Sequence, residues 1–365
     1  MSLVLNGTTG ITNLPSINSG QIGGRRNIVI NGEMKVAQRS ASVAGLGAAA
    51  GYFTLDRWKI DTANSAGRLT MTQTADGPNG FANCIKLDCT TADTSLAASE
   101  HLIISQRFEG QDLQSIGKGA AGAKEVTVSF YVKANAAFTF GLELYDADNT
   151  RQITKLYTTT TAWVRHKITF PADTTGVFTD DNLESLQLGF WLHAGSTFAS
   201  GTLNTAAWAD STNANRAAGI DSFYSSTDNN FFITGVQLEV GSVATPFEHR
   251  SYGEELALCQ RYFYQFVKGN DLPMGIGFYV AANQLRLGVY FPTTMRAPPS
   301  VVTSNVAHFK ADGPTDTFDG NWVVLQVSTT MINIYSTTNV GGVEDDPCIV
   351  RTIGDDAELA FNSEL

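Results

Sequence analysis

The sequence has few charged residues, and those it has are mostly acidic. Charged side chains make up 16% of the 365 residues, below the roughly 25% that is usual in soluble globular proteins. The 24 Lys and Arg residues are outnumbered by 35 Asp and Glu, which gives a net charge of −11, and no basic run interrupts that balance. Because proteins that follow the nucleic-acid backbone need a cationic face, this composition disfavours a nucleic-acid partner.

Cysteine is scarce as well. Its four copies, Cys84, Cys89, Cys259 and Cys348, form no CxxC pair and are too scattered for a disulfide-dense scaffold. The spacing of Cys84 and Cys89 would place them on opposite faces of a strand, so it forms no zinc-ligand pair. We expect four free thiols, buried or half-buried.

No apolar run approaches the roughly 20 residues that span a bilayer, so we expect no membrane insertion. The opening stretch, residues 1–24, has no charge and therefore lacks the basic start of a secretion signal. Its short apolar pairs are separated by Gly, Asn, Thr and Pro. Such a segment cannot bury a face alone, because ordering its backbone costs about 1–2 kcal/mol per residue, and it needs a partner surface.

Motifs of the common catalytic sites are missing. The sequence contains no phosphate-binding GxxxxGK[ST], no GxGxxG, no GxSxG and no HExxH. We therefore expect no cofactor, no catalytic residue and no enzymatic activity. The sequence leaves open a structural calcium, although Asp146 to Thr150 lacks the Gly and the final Glu of a calcium loop. It also leaves open a carboxylate pair of the kind glycosidases use. The candidates for such a pair each lie in or beside a predicted turn, and they are Glu143, Asp146, Asp180, Asp181 and Glu184.

What the sequence does contain is alternation of apolar and polar residues. Four apolar stripes with a period of two lie between positions 27 and 250, and they start at Val126, Phe138, Val164 and Leu186. One apolar and one polar face per strand is typical of an antiparallel sandwich. We predict an all-β chain whose residues 27–250 form a jelly-roll β-sandwich.

One helix is predicted between two β regions. Ser251 and Glu254 have the spacing of a capping box, and apolar residues then follow at helical spacing. We predict a linking helix over residues 251–268 and a second, smaller β-sandwich domain over 269–365, where alternation returns. The wide aromatic side of this helix favours packing between subunits, and the interface candidates are Leu258, Tyr262, Phe263 and Phe266.

Aromatic residues provide the glycan-binding candidates. Gln187, Trp191 and His193 are predicted to share the polar face of one strand, and Trp163 marks a second strand beside Arg165 and Lys167. Sugar rings lie on aromatic faces while amide and carboxylate groups bind the hydroxyls. The alternative for each Trp is an interface or second-core position, which is the more common use of a single Trp.

Several segments together resemble one family. They are Asn27–Met34, Gln38-Arg39, Thr54–Trp58, Ile104–Arg107, Val126–Val132, Thr234–Gly241, Ala244–Glu248, Glu254–Tyr262, Met295–Pro299 and Asp356–Leu359. In combination these segments are similar to a module of tail-fibre and other virion proteins of bacteriophages.

This resemblance implies a jelly roll similar to carbohydrate-binding modules, carried by a fibre or spike that assembles as a homotrimer. It also implies that residues 1–26 form an extended segment that attaches the fibre to other tail or capsid proteins of the virion. We expect a non-enzymatic virion protein, assembled in the host cytoplasm, that contacts a bacterial surface glycan. The alternatives are a polysaccharide-depolymerising tailspike and a purely structural decoration or adaptor protein.

Overall fold

The computed structural model describes residues 25–304, 308–312, 322–337 and 340–365, and these form two units of antiparallel β-strands. The first unit contains residues 25–35, 42–53 and 58–250; the second contains 36–41, 54–57 and the described residues from 251 onward. The all-β class predicted from the alternating stripes is confirmed. The predicted attachment segment lies outside the described residues except for Arg25 and Arg26.

The first unit is a jelly-roll sandwich of two sheets. Successive strands cross repeatedly between a six-stranded sheet, in the order β1-β4-β5-β13-β7-β10, and a seven-stranded sheet, in the order β12-β9-β8-β11-β6-β3-β2. The strands are β1 Ser42–Leu46, β2 Gly51–Tyr52, β3 Lys59–Ala63, β4 Arg68–Thr74, β5 Cys84–Thr91, β6 His101–Glu109, β7 Val126–Ala134, β8 Thr139–Asp146, β9 Arg151–Thr158, β10 Val164–Phe170, β11 Glu184–Ala194, β12 Ala209–Asp210 and β13 Asn230–Val240. A short α-helix, α1, covers Ser196–Ala199.

The core of the first unit lies between the inner faces of these sheets. Strands β8 and β11 bring Leu142 opposite Phe190 and Leu144 opposite Leu188, and all four side chains are fully buried. From the other sheet, Phe130 packs edge-on against Phe190 with ring centroids 5.1 Å apart. The apolar stripes therefore face each other, as the period of two requires.

Some residues that carry the family resemblance form an internal hydrogen-bond network. Asn27 accepts from the backbone N–H of Leu238 at 3.1 Å and donates to the carbonyl of Val236 at 3.2 Å. Gln106 both accepts from and donates to the backbone of Ile30, at 2.8 Å each way. These side-chain amides make the backbone hydrogen bonds that a neighbouring strand would otherwise make, and they hold residues 27–31 against the sandwich.

From residue 251 onward, the described part of the second unit contains helix α2 followed by nine strands in two sheets. Helix α2 covers Tyr252–Gln260, and its predicted capping box is present, with Ser251 and Glu254 bonded in both directions. The sheet orders are β14-β22-β17 and β18-β21-β15-β16-β20-β19. The strands are β14 Phe263–Lys268, β15 Pro273–Ala281, β16 Gln284–Tyr290, β17 Ser300–Thr303, β18 Phe309–Asp312, β19 Val323–Val327, β20 Met331–Ser336, β21 Pro347–Thr352 and β22 Glu358–Asn362.

The helix is shorter than predicted. Residues Phe263–Lys268, predicted as its end, form β14 and pair with β22, where Phe263 faces Asn362 and Gln265 faces Ala360. In this strand Phe263 and Val267 are both buried. The aromatic spacing that suggested a helix fits a short strand equally well, and pairing with β22 decides between them.

Two of the four predicted interface residues have almost no exposed surface. Tyr262 and Phe263 are 1% and 2% exposed. The guanidinium carbon of Arg57 lies 3.4 Å from the ring centroid of Tyr262, and that of Arg39 lies 3.7 Å from the ring centroid of Phe263. Both rings are covered within their own unit, so they do not form the exposed aromatic face that the sequence predicts.

The other two interface candidates, Leu258 and Phe266, are half-buried. Phe266 packs against the core of the second unit, with its ring centroid 6.2 Å from that of Phe361.

The four cysteines are free and buried, as predicted. In the described part of the chain, no helix has the length and apolar character needed to cross a membrane.

Candidate ligand-binding face

The outward side of the seven-stranded sheet carries a group of polar side chains. Along β11, Gln187 and Trp191 alternate with the inward Leu188 and Phe190, so the predicted sharing of one face by Gln187 and Trp191 is present. Gln187 has Tyr145 opposite on β8 and Arg107 opposite on β6. We call the outward side formed by the following residues the polar sheet face: Asp61, Arg107, Glu143, Tyr145, Glu184, Gln187 and Trp191.

An ion-pair trio lies at one part of this face. The guanidinium of Arg107 is 3.3 Å from the carboxylate of Asp61 and 2.8 Å from that of Glu184. The three side chains remain 20–22% exposed, so they can reach a ligand from solvent. Burial raises the pKa of Glu184 above its usual range, although the charge of Arg107 opposes that shift.

A second group of side chains on this face is more deeply buried. Trp191 donates from Nε1 to the Glu143 carboxylate at 2.8 Å, and Arg216 binds the same carboxylate through two nitrogens, each at 2.8 Å. The guanidinium carbon of Arg216 lies 4.7 Å from the ring centroid of Tyr145 and 5.1 Å from that of Trp191. Burial opposes the charge on Arg216, but the Glu143 carboxylate outweighs it and raises the pKa of the guanidinium. Arg216 comes from the connection between β12 and β13, which covers Trp191.

The predicted glycan-facing cluster is therefore not exposed. Trp191 and His193 are 0% exposed and Gln187 is 7% exposed. A register shift at the end of β11 also separates two of them, because Trp191 pairs with Ile103 whereas His193 pairs with Leu102. Consecutive residues of β6 point to opposite faces, so His193 lies on the other side of the sheet from Trp191. Simple alternation could not anticipate this bulge.

Trp163 lies on the other sheet of the sandwich, next to β10. It is half-buried, and its ring centroid is 6.3 Å from that of Phe232. The ammonium of Lys133 lies over both rings, at 5.2 Å from Trp163 and 4.6 Å from Phe232. Trp163 thus belongs to an aromatic and cationic patch of the six-stranded sheet and does not join the polar sheet face.

Of the five carboxylates considered for a catalytic pair, two are on the polar sheet face, Glu143 and Glu184. Asp146 is buried in an ion pair with Lys118 and accepts from the backbone N–H of Asn149 at 3.0 Å. Asp181 accepts from the backbone N–H of Leu183 at 2.9 Å. Asp146 and Asp181 therefore cap turns, which agrees with their predicted positions in or beside turns.

Sequence analysis did not single out four members of this site, Asp61, Arg107, Tyr145 and Arg216. Arg107 and Tyr145 are visible in the sequence as polar members of alternating strands, but nothing local marks their partners. Arg216 comes from a connection, where no period applies.

No protein-family model matches this chain, and no curated protein matches it. Among solved structures it is similar to the enzymatically active domain of bacteriophage CBA120 tailspike protein 4, with 10% identity and a TM-score of 0.31, over 59% of this chain and 21% of that chain. It is similar to a family 11 carbohydrate-binding module from Clostridium thermocellum solved in complex with a β-1,3-1,4-mixed-linked tetrasaccharide, with 10% identity and a TM-score of 0.28, over 55% and 100% of the two chains. A third is the CBM22-1 xylan-binding domain of Xyn10C from Paenibacillus barcinonensis, with 11% identity and a TM-score of 0.29, over 61% and 100%.

Proposed function

We propose that this chain is a non-enzymatic virion fibre or spike protein that binds a bacterial surface glycan through the polar sheet face of its first unit. The observation that carries the proposal is the partly exposed trio of Asp61, Arg107 and Glu184 beside Gln187 and Tyr145. The resemblance of the sequence segments to phage fibre modules supports the virion setting.

The chemistry of the trio suits a sugar. Sugar hydroxyls donate and accept hydrogen bonds, and charged partners make such bonds stronger than neutral ones. Because the two carboxylates hold Arg107 in position, little side-chain freedom is lost when a hydroxyl binds. Tyr145, stacked with Arg216, offers a ring for the C–H side of a sugar.

A single shallow face of this kind binds weakly, so the proposal includes the homotrimer. Three copies that engage one cell surface raise the overall avidity by about 10²-fold or more. Attachment to the virion would use residues 1–26.

The experiment compares matched ion pairs on the two outer faces of the sandwich. Arg107→Gln and Glu184→Gln break the trio, whereas Lys86→Gln breaks the 2.7 Å pair of Lys86 and Asp88 on the six-stranded sheet. Binding to purified host polysaccharide and inhibition of phage adsorption should weaken about 10-fold for the first two variants, the effect of one lost charged hydrogen bond. Unchanged binding in both trio variants, or an equal loss in Lys86→Gln, would contradict the proposal.

One observation favours a second candidate, a polysaccharide-depolymerising spike. Glu184 has a raised pKa, which suits a general acid, and Asp61 lies on the other side of the same guanidinium. Incubation with host polysaccharide distinguishes the two functions. A fall in polymer length that Glu184→Gln abolishes would establish hydrolysis, and constant polymer length in the presence of binding would exclude it.

A further inference from the structure

Three ionisable residues meet inside the first unit, away from the polar sheet face. Asp93 lies in the connection after β5, Glu100 immediately before β6, and His193 near the end of β11. They are 4%, 3% and 0% exposed. One ligand atom from each lies within 4.8 Å of the others.

The charge of this cluster is not balanced by basic side chains. Within the described parts of the chain, no Lys or Arg forms an ion pair with Asp93 or with Glu100. Asp93 accepts hydrogen bonds from the backbone N–H groups of Ala66, at 2.8 Å, and of Ser95, at 3.3 Å. Buried carboxylates are normally paired with a cation or bound to a metal.

Two atoms of the cluster have no hydrogen-bond partner among the residues that the structure describes. They are Nε2 of His193 and Oε2 of Glu100, both buried, and they lie 3.5 Å apart. That separation is long for a hydrogen bond. Two ligand atoms that are each about 2.0–2.2 Å from a tetrahedral zinc ion lie about 3.3–3.6 Å apart, which matches the observed distance.

The other ring nitrogen of His193 has a hydrogen-bond partner. Nδ1 and the hydroxyl of Ser222 are hydrogen-bonded at 2.8 Å. With Nδ1 as the donor, Nε2 keeps its lone pair toward the carboxylates. The bond to Ser222 orients the ring, and an outer hydrogen bond to the second ring nitrogen is the usual support of a metal-bound imidazole.

We propose that Asp93, Glu100 and His193 bind one divalent transition-metal ion of the zinc class. One imidazole nitrogen with two carboxylates suits zinc, whereas calcium takes six to eight oxygen ligands. The ion would tie the connection between β5 and β6 to the end of β11, and through Ser222 to the segment that leads into β13. It is a structural tie and is independent of glycan binding.

The test uses the full chain, stripped of metal with a chelator. Equilibrium dialysis with zinc chloride should give one ion per chain, and cobalt chloride should give the visible absorption bands of a low-coordinate cobalt site. Free zinc at about 100 times its dissociation constant should raise the melting temperature by about 5–10 °C.

Variants separate this site from adventitious binding. Glu100→Gln and His193→Gln should abolish zinc binding. If either fails to fold, Ser222→Ala changes only a partly exposed hydroxyl and should weaken zinc binding about 10–100-fold. His166→Gln removes a half-buried imidazole outside the cluster and should leave binding unchanged. The proposal is overturned if the wild-type chain binds no zinc, if only calcium raises the melting temperature, or if Ser222→Ala and Glu100→Gln bind zinc as tightly as the wild type.

Discussion

Replacing Trp191 with alanine tests whether this ring is a packing element or a glycan contact. The ring is fully buried, contacts Phe198 with centroids 5.4 Å apart, and donates to Glu143. Truncating a fully buried Trp to Ala costs about 3–5 kcal/mol of unfolding free energy. Trp191→Phe keeps most of the packing and loses the hydrogen bond to a charged acceptor, so it should cost about 1–3 kcal/mol.

The assay is urea unfolding followed by circular dichroism, because fluorescence would mix the signals of five tryptophans. With two units present, the transition of the first unit must be fitted separately. Trp163→Ala is the matched control, since its half-buried ring should cost only about 1–2 kcal/mol.

The reasoning is refuted if Trp191→Ala costs less than about 1 kcal/mol and yet abolishes polysaccharide binding. That result would mean that the connection carrying Arg216 opens and exposes the ring. If the expected loss is found, weaker host adsorption by Trp191→Ala reports unfolding and says nothing about sugar contact.

Two further predictions concern buried charges. Lys118→Met leaves Asp146 without its ion-pair partner and also removes the ammonium that lies 3.0 Å from the Asp173 carboxylate. It should therefore lower the unfolding free energy of the first unit by about 3–5 kcal/mol, measured by urea unfolding. Lys124→Met, which changes an exposed lysine, should have little effect. Burial raises the pKa of Asp56 from 3.8 to about 6, although a neighbouring guanidinium opposes this. The folded state therefore holds the proton more tightly than the unfolded chain, and this group's stabilisation is complete below about pH 4 and lost as the pH rises through about 6. Asp56→Asn should remove about 3 kcal/mol of that pH dependence between about pH 4 and pH 7, and an unchanged slope of unfolding free energy against pH would contradict this origin.

The sequence was most informative where one local rule decides the structure. The stripe from Val126 became β7 and the stripe from Leu186 became β11, because an alternating strand has only one way to bury its apolar face. The capping box at Ser251 was equally readable, since both of its bonds join residues three apart.

The failures come from interactions between distant segments. Phe263 and Phe266 fit a helix or a strand by spacing, and only pairing with β22 decides for the strand. The bulge before His193 moves that side chain to the other face, and no alternating pattern encodes a bulge. The exposed β19 shows a related limit, because alternation indicates a strand but does not indicate that the strand forms the edge of its sheet.

The segment Ile104–Arg107 carries part of the family resemblance and also contributes Arg107 to the polar sheet face. Gln106 points inward and is bonded to the backbone of Ile30, whereas Arg107 points outward between its two carboxylates. The first residue serves the fold and the second is available to a ligand, because consecutive residues of a strand face opposite ways. A short segment that carries a sequence resemblance can therefore place one residue in the scaffold and expose its neighbour. Gln106→Ala should accordingly reduce stability, and Arg107→Gln should reduce binding while stability changes little, so the two variants divide this short segment into its two roles.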